Sequence, residues 1–237
     1  MNKAIKYMFD VDGTLTPSRQ SIDSKFKEFF IDFIKREKVW IVTGSDYSKT
    51  LEQLGPEICE SVMSVYNCSG NQVRFKGKVV NSSNWKLPDS PKEWLINEMN
   101  KSAFPLRTGN HIEERPGTCN FSVVGRNATQ EERLLYVEYD TLKNERTFIA
   151  NTFNYVFGSE SLGLHATVGG DTGIDIYPIG KDKSQVLADF NNNDNIHFFG
   201  DKMKPGGNDY PLAKANKSGI NYHVKNWQET FKILKDI

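Results

Sequence analysis

Cysteine is scarce in this chain and neither sign of charge is in surplus. Cys59, Cys68 and Cys119 are the three cysteines among 237 residues. An odd number with no CxxC pair offers no disulfide framework and reads as a chain of a reducing compartment. Thirty basic residues face 30 acidic ones, so the formal net charge is zero. A balanced chain raises no general field for nucleic acid or an anionic membrane, and attraction for phosphate must be local, from a few placed cations. Long apolar runs are missing too: none approaches the roughly 18 residues of a membrane span. The amino-terminal stretch through Phe9 is broken by Lys6 and stopped by Asp10, short of the apolar core of a secretory signal. Together these absences read as a soluble, cytoplasmic protein with neither nucleic-acid nor membrane partners. No internal repeat or low-complexity tract occurs, and Asn191-Asn192-Asn193 reads as a turn. Aromatic side chains, by contrast, make up 12% of the chain, which argues against disorder. The length suffices for one large domain or two small ones.

Short apolar runs recur, each ending in polar, glycine-bearing sequence. Ile5–Phe9 precedes Asp10-Val11-Asp12-Gly13-Thr14, Val39–Val42 precedes Thr43-Gly44-Ser45-Asp46, and Ile196–Phe199 precedes Gly200-Asp201. Runs of this length, rich in β-branched and aromatic residues, predict buried strands. Between the first two, Ile22, Phe26, Phe29, Phe30, Phe33 and Ile34 fall on one face of a helix running from Ile22 to about Lys38. Strand, helix and strand in that order predict a parallel sheet. Ligands of open parallel sheets sit at the carboxyl ends of the strands, and all three polar clusters lie there.

The middle of the chain has a different texture. Ser90-Pro91-Lys92-Glu93 and Thr129-Gln130-Glu131-Glu132 both read as capping boxes opening helices. Around them Thr118–Val124, Leu164–Val168 and Gly173–Ile179 alternate as half-buried antiparallel strands do. The expected architecture is therefore α/β: a parallel-sheet core in two parts, residues 1–80 and 181–237, with an α+β module of antiparallel sheet and helices inserted over 81–180.

Asp10 and Asp12 stand two apart where a strand gives way to a loop, so alternation and the loop would aim both at one spot. Covalent phosphoryl transfer needs such a pair: one carboxylate attacks phosphorus and the other shuttles the proton of the leaving or entering hydroxyl. Gly13 lets the backbone approach phosphate. Asp-Gly is also common in solvated turns, so the companions matter. Gly200-Asp201 adds a carboxylate of the kind a hard cation such as Mg2+ prefers. Gly206-Gly207-Asn208-Asp209 adds a flexible acidic loop. Ser45 and Lys183 are suited to bonding and neutralising a moving phosphoryl group. His165 and His197 lie in apolar strands and read as packed; His111 and His223 have no partner at zinc spacing. Lys181 and Lys204 read as solvated.

The order Asp-x-Asp-Gly-Thr, Ser45, Lys183, Gly-Asp resembles the haloacid dehalogenase superfamily, and the chain nearly throughout resembles its eukaryotic phosphomannomutases. The most specific stretches are Phe9–Gln20, Gly44-Ser-Asp46 with Gln53-Leu-Gly55, Gly125-Arg126 with Gln130-Glu-Glu-Arg133, Gly169-Gly170 with Asp175, Asp182-Lys183, and Phe198–Lys202 through Pro205–Asp209. The resemblance implies a Rossmann-like core with an inserted cap, a homodimer joined through caps, and interconversion of mannose 6-phosphate and mannose 1-phosphate for GDP-mannose synthesis. It implies Asp10 as nucleophile, Asp12 as general acid/base, and Ser45 and Lys183 steadying the phosphoryl group. Mg2+ would be held by Asp10, the Asp12 carbonyl and Asp201, with Asn208 and Asp209 in support, and a hexose 1,6-bisphosphate would act as activator. Arg19, Arg115, Arg126 and Arg133 would grip the phosphate that is not reacting, and Asp175 would bind sugar hydroxyls. A planar guanidinium suits this because it gives oriented, bidentate contacts to phosphate, although a single arginine is more commonly a surface ion pair. Arg133 in the first turn of a helix opposes the helix dipole, which a bound anion would explain.

The sequence departs from the family at Gly173, where serine is usual, at Pro116 for asparagine, at Asp171 for glutamine, and at Cys68-Ser69-Gly70-Asn71 for Glu-Asn-Gly. These departures bear on sugar preference and rate more than on reaction class. Two other readings use the same residues: a sugar-phosphate phosphatase that admits water, and an inactive sugar-phosphate sensor. The arginine set speaks against the first and retention of Asp12 against the second.

Overall fold

In the computed structural model residues 4–237 are described; the first three residues of the stretch read for a secretory signal lie outside them. The chain forms two compact units, one from the amino-terminal stretch through Ser83 rejoined by Lys181–Ile237, the other Asn84–Gly180. The first unit begins with β1 (Ile5–Phe9), α1 (Ser24–Arg36), β2 (Lys38–Val42), α2 (Tyr47–Ser61), β3 (Ser64–Asn67), β4 (Gln72–Phe75) and β5 (Lys78–Ser82). The second unit holds α3 (Asp89–Lys101), β6 (Ile112–Arg115), β7 (Thr118–Phe121), α4 (Gln130–Lys143), α5 (Glu145–Phe157), β8 (Leu164–Gly169) and β9 (Gly173–Pro178). The chain then returns through a 3-10 segment (Lys183–Asp189) to β10 (Asn195–Gly200), α6 (Tyr210–Ala215), β11 (Ile220–His223) and α7 (Trp227–Lys235).

The first unit's sheet runs β11-β10-β1-β2-β3-β4-β5. It is parallel from β11 to β3 and antiparallel at β4 and β5. Its central strands are buried on both faces, as parallel strands covered by helices must be. Tyr7 and Phe9 pack on one side with Phe26, Phe30 and Phe33 of α1 and Leu234 of α7. Met8, Val42 and Phe198 pack on the other with Val186 and Leu212. The aromatic stripe of α1 is therefore core, and Asp23 caps that helix by accepting from Lys25 N and Phe26 N.

The second unit carries a four-stranded antiparallel sheet, β6-β7-β9-β8. Register decides its two faces. Cys119 lies opposite Ile176, and Ile176 opposite Ala166; these pack with Tyr136, Ile149 and Phe153 of the two long helices. The other face carries Glu113, Asn120, Asp175 and Thr167 in one cross-strand row. The Thr129 capping box forms as read, with reciprocal bonds between Thr129 and Glu132. The Ser90 box does not. α3 starts at Asp89 after an extended Pro88, with no side-chain cap. A proline lacks only an N–H that the whole first turn leaves unpaired, so Pro91 does not mark which residue comes first. His197 is buried as expected, but His165 is exposed on β8, leaning on the Tyr177 ring. Among the described residues no helix is long and apolar enough to cross a membrane.

Candidate active site

β1 and β10 are parallel neighbours, so the residues following each emerge side by side. Asp10 is tied there by its N–H, which donates to Phe199 O at 2.9 Å. Asp10 is 3% exposed; its carboxylate accepts from Lys183 Nζ at 2.6 Å, and the same ammonium donates to Asp209 Oδ1 at 2.6 Å. Lys183 itself is fully buried. Asp10, Asp201 and Asp209 bring one carboxylate oxygen each to within 4.8 Å of one another. Asp209 is also pinned by Lys202 N–H on its Oδ2 at 3.0 Å. The stretch read as a flexible acidic loop thus ends in a buried, doubly bonded carboxylate.

Three carboxylates against one buried lysine leave the cluster short of positive charge. Burial pushes the Asp10 carboxyl well above its ordinary range, and Asp209 adds repulsion against the pull of Lys183. Burial pushes Asp201 up to about 6. Lys183 is held protonated by Asp10 and Asp209 in spite of its burial. The donors are all oxygen, as a hard divalent cation requires. Asn208 Oδ1 is buried with no hydrogen-bond partner among the described residues. These residues fit Mg2+.

Asp12 faces other partners. Its Oδ1 accepts from Arg19 N–H at 2.7 Å and from Gln53 Nε2 at 3.0 Å, and its Oδ2 from Ser45 Oγ at 3.5 Å. Asp10 is thus bonded by Lys183, and Asp12 by Arg19 N–H, Gln53 and Ser45. Arg19 reaches Asp12 through backbone in the left-handed region, φ +58°, and the side chain of Arg19 remains half-buried. Gln53 is buried, and Nε2 also donates to Thr16 Oγ1 at 3.0 Å. In the sequence Gln53 stands out only within a family-like stretch, and its bond from α2 to Asp12 is what marks its role. Gly13 has φ +80°, and a Cβ there would meet Asp201 Oδ2 at 2.5 Å. Ser45 accepts at its carbonyl from Cys68 N–H at 2.9 Å. Cys68, Ser69 and Gly70 all have positive φ, so the departure from Glu-Asn-Gly occupies a strained turn beside Ser45.

In the second unit Arg115 Nη2 and Arg126 Nε both bond the same oxygen, Glu113 Oε2, at 2.7 and 2.8 Å. Burial works to raise the Glu113 carboxyl, but the two guanidiniums overcome it and hold it below the ordinary range. Glu113 was not singled out from sequence, because a glutamate in an exposed-looking Glu-Glu pair carries no signal until register pairs it with Asn120. Arg133 is buried, 5% exposed, at the end of the first turn of α4. Asp175 accepts from Asn120 Nδ2 at 2.7 Å.

A buried aspartate beyond the first strand of a mostly parallel sheet, a lysine on it, a second carboxylate after a distant strand and an inserted antiparallel module define a haloacid dehalogenase fold. Solved structures agree at the level of fold: the trehalose-6-phosphate phosphatase C-terminal domain of C. albicans (TM-score 0.66, 14% identity, covering 98% of this chain and 91% of that one) and the N-terminally truncated IMP-nucleotidase of Plasmodium falciparum bound to IMP (TM-score 0.60, 16% identity, 99% and 68%). The family described as "Eukaryotic phosphomannomutase" matches residues 26–237. A probable phosphomannomutase of Caenorhabditis elegans is 34% identical over 97% of this chain and 94% of its own length, and the phosphomannomutase of Saccharomyces cerevisiae is 32% identical over 97% and 92%. The chain belongs to the eukaryotic phosphomannomutase family.

Proposed function

We propose that the protein interconverts mannose 6-phosphate and mannose 1-phosphate by way of a phosphorylated Asp10, supplying mannose 1-phosphate for GDP-mannose in the cytoplasm. A hexose 1,6-bisphosphate primes the enzyme: an Asp10 oxygen attacks phosphorus, the phosphorus–sugar oxygen bond breaks, and Asp12 gives its proton to the departing sugar oxygen. In the reverse half a hydroxyl of the sugar monophosphate loses its proton to Asp12 and attacks the aspartyl phosphate, freeing Asp10. Asp10, the Asp12 carbonyl and Asp201, with Asn208 and Asp209 in support, would hold Mg2+, which would supply charge neutralisation for the phosphoryl oxygens. Lys183 and Ser45 steady the same group. Arg19, Arg115, Arg126 and Arg133 bind the phosphate that is not being transferred, and Asp175 binds sugar hydroxyls.

The observation that carries a mutase over a phosphatase is the convergence of Arg115 and Arg126 on one oxygen of Glu113. It makes a prepared cationic pair in the second unit, of a kind that recognises phosphate bidentately, and a phosphatase has no second phosphate to hold. The relatives' names support the same reading. Incubation with mannose 1-phosphate, Mg2+ and glucose 1,6-bisphosphate is expected to yield mannose 6-phosphate by phosphorus NMR. A spectrum in which only inorganic phosphate grows would return the protein to the phosphatases.

The oligomeric form is part of the proposal. Leu135 and Leu142 on α4 are 53% and 80% exposed, and Phe148 and Tyr155 on α5 are 64% and 91% exposed. Each pair is seven residues apart and so lines one stripe of its helix. Such a surface supports a homodimer through the second unit.

A further inference from the structure

Around Asp175 the second unit's sheet holds an arrangement to which the reaction above assigns no role beyond the carboxylate itself. Gly169 on β8 and Gly173 on β9 are cross-strand partners, and each has another residue's side chain where its own Cβ would stand. A Cβ at Gly169 would lie 2.1 Å from Asp175 Oδ2, and one at Gly173 would lie 2.5 Å from Asn120 Nδ2. Heavy atoms do not pack that closely, so the two glycines are what allow Asp175 and Asn120 to lie low over the sheet. There Asn120 Nδ2 donates to Asp175 Oδ1 at 2.7 Å. An ionised carboxylate only accepts, which fixes the amide with its nitrogen toward Asp175. Asn120 Oδ1 is left buried with no hydrogen-bond partner among the described residues. Asn120 is 4% exposed, whereas Asp175 is only half-buried. The amide is buried, and the carboxylate beside it keeps a surface for a ligand.

We infer that Asn120 is a positioning residue for the sugar: seated over Gly173, it orients the Asp175 carboxylate and thereby sets which configuration of hexose hydroxyl is preferred. This rests on Asp175 binding the sugar, as proposed above. Gly173 is the admitting residue. A Cβ there would crowd the Asn120 amide, and glycine leaves that space to it. The ligands distinguished are hexose phosphates that differ in the configuration of one hydroxyl.

The test is steady-state kinetics of the full chain with mannose 1-phosphate and with glucose 1-phosphate, each with Mg2+ and glucose 1,6-bisphosphate. Asn120→Ala is expected to raise KM about tenfold, the scale of one lost hydrogen bond to a charged group, with kcat within about twofold, and to change the ratio of kcat/KM between the two sugars. Asn120→Leu, close in size and without a donor, keeps the packing while removing the hydrogen bond, and raises KM likewise should the alanine variant fold poorly. Gly173→Ala, which adds a Cβ and no hydroxyl, raises KM by crowding the amide. Asn120→Ala with Gly173→Ala is less than additive, because both act on one bond. Lowered melting temperatures with both KM values and the sugar ratio unchanged would overturn the inference, as would strict additivity. Asp175→Asn separates the two levels. If Asp175→Asn raises KM but the Asn120 and Gly173 variants do not, the inference alone fails. If Asp175→Asn also leaves KM unchanged, the sugar-binding role of Asp175 in the proposed function fails with it.

Discussion

Individual side chains at this site are held by opposed demands. Lys183 gives two hydrogen bonds, to Asp10 and Asp209, yet one ammonium does not balance three carboxylates that approach within 4.8 Å. Burial pushes Asp201 up to about 6, with Lys202 pulling it down and Asp209 pushing it up. A carboxyl raised in the folded state binds protons more tightly there than in the unfolded chain. Its contribution to stability is therefore fully present below the unfolded value near 4 and is lost as pH climbs through about 6. Metal-free Asp201→Asn is accordingly expected to melt about 5 °C above the metal-free parent at pH 8, with the gap closing toward pH 5. Mg2+ should raise the parent's melting temperature and leave that of the variant almost unmoved. Thermal melts with chelator and with Mg2+ at both pH values decide it; a variant that melts lower in chelator at pH 8 would show that Asp201 is not a site of charge repulsion. Glu113 has the opposite sign: Arg115 and Arg126 hold it low in spite of burial, so what it contributes is present above the ordinary glutamate range and is lost as pH falls through its lowered value.

At the scale of the element, the loop after β1 depends on backbone rather than on side chain. Gly13 combines φ +80° with a Cβ position 2.5 Å from Asp201 Oδ2, so Gly13→Ala strains the loop and pushes on a carboxylate of the cluster at once. The expected outcome is an overall fold preserved by circular dichroism, with mutase activity down by about 100-fold or more. Activity within about threefold of the parent would mean that the loop and Asp201 move freely past each other. Elements with strong periodicity were legible in the sequence: β1, β2, β10, the aromatic stripe of α1 and the Thr129 box of α4. Others were not. Four-residue strands such as β3, β4 and β11 are too short to show alternation, and α2 is interrupted at Gly55, φ +80°, followed by Pro56. α5 carries apolar residues on its outward side as well, including Phe148 and Tyr155, which blurs a one-sided stripe.

For the whole molecule, the division into two units puts chemistry of different kinds on different sheets. The aspartate cluster belongs to the first unit, and the arginine–glutamate pair and Asp175 belong to the second. β5 carries the first unit past residue 80, because Lys78–Ser82 pairs with β4 in the larger sheet. The exposed stripes of α4 and α5 give the scale its prediction. Leu142→Glu combined with Tyr155→Glu is expected to convert a dimer into a monomer by sedimentation velocity, since charges placed in an apolar interface are costly to bury. A parent that already sediments as a monomer at micromolar concentration would remove the dimer from the proposal.

Amino-acid order alone determined the fold class and that Asp10 and Asp201 each follow a buried strand. Strand periodicity and abrupt strand ends are local properties, and parallel strands deliver their following residues to one edge. Only tertiary structure decided that Lys183 bridges Asp10 to Asp209, that Gln53 and Ser45 serve Asp12, that Glu113 gathers Arg115 and Arg126, and that Asn120 lies over Gly173 and donates to Asp175. These pairings join residues on separate elements through register and burial. A linear pattern of hydrophobicity carries no record of which strand lies beside which.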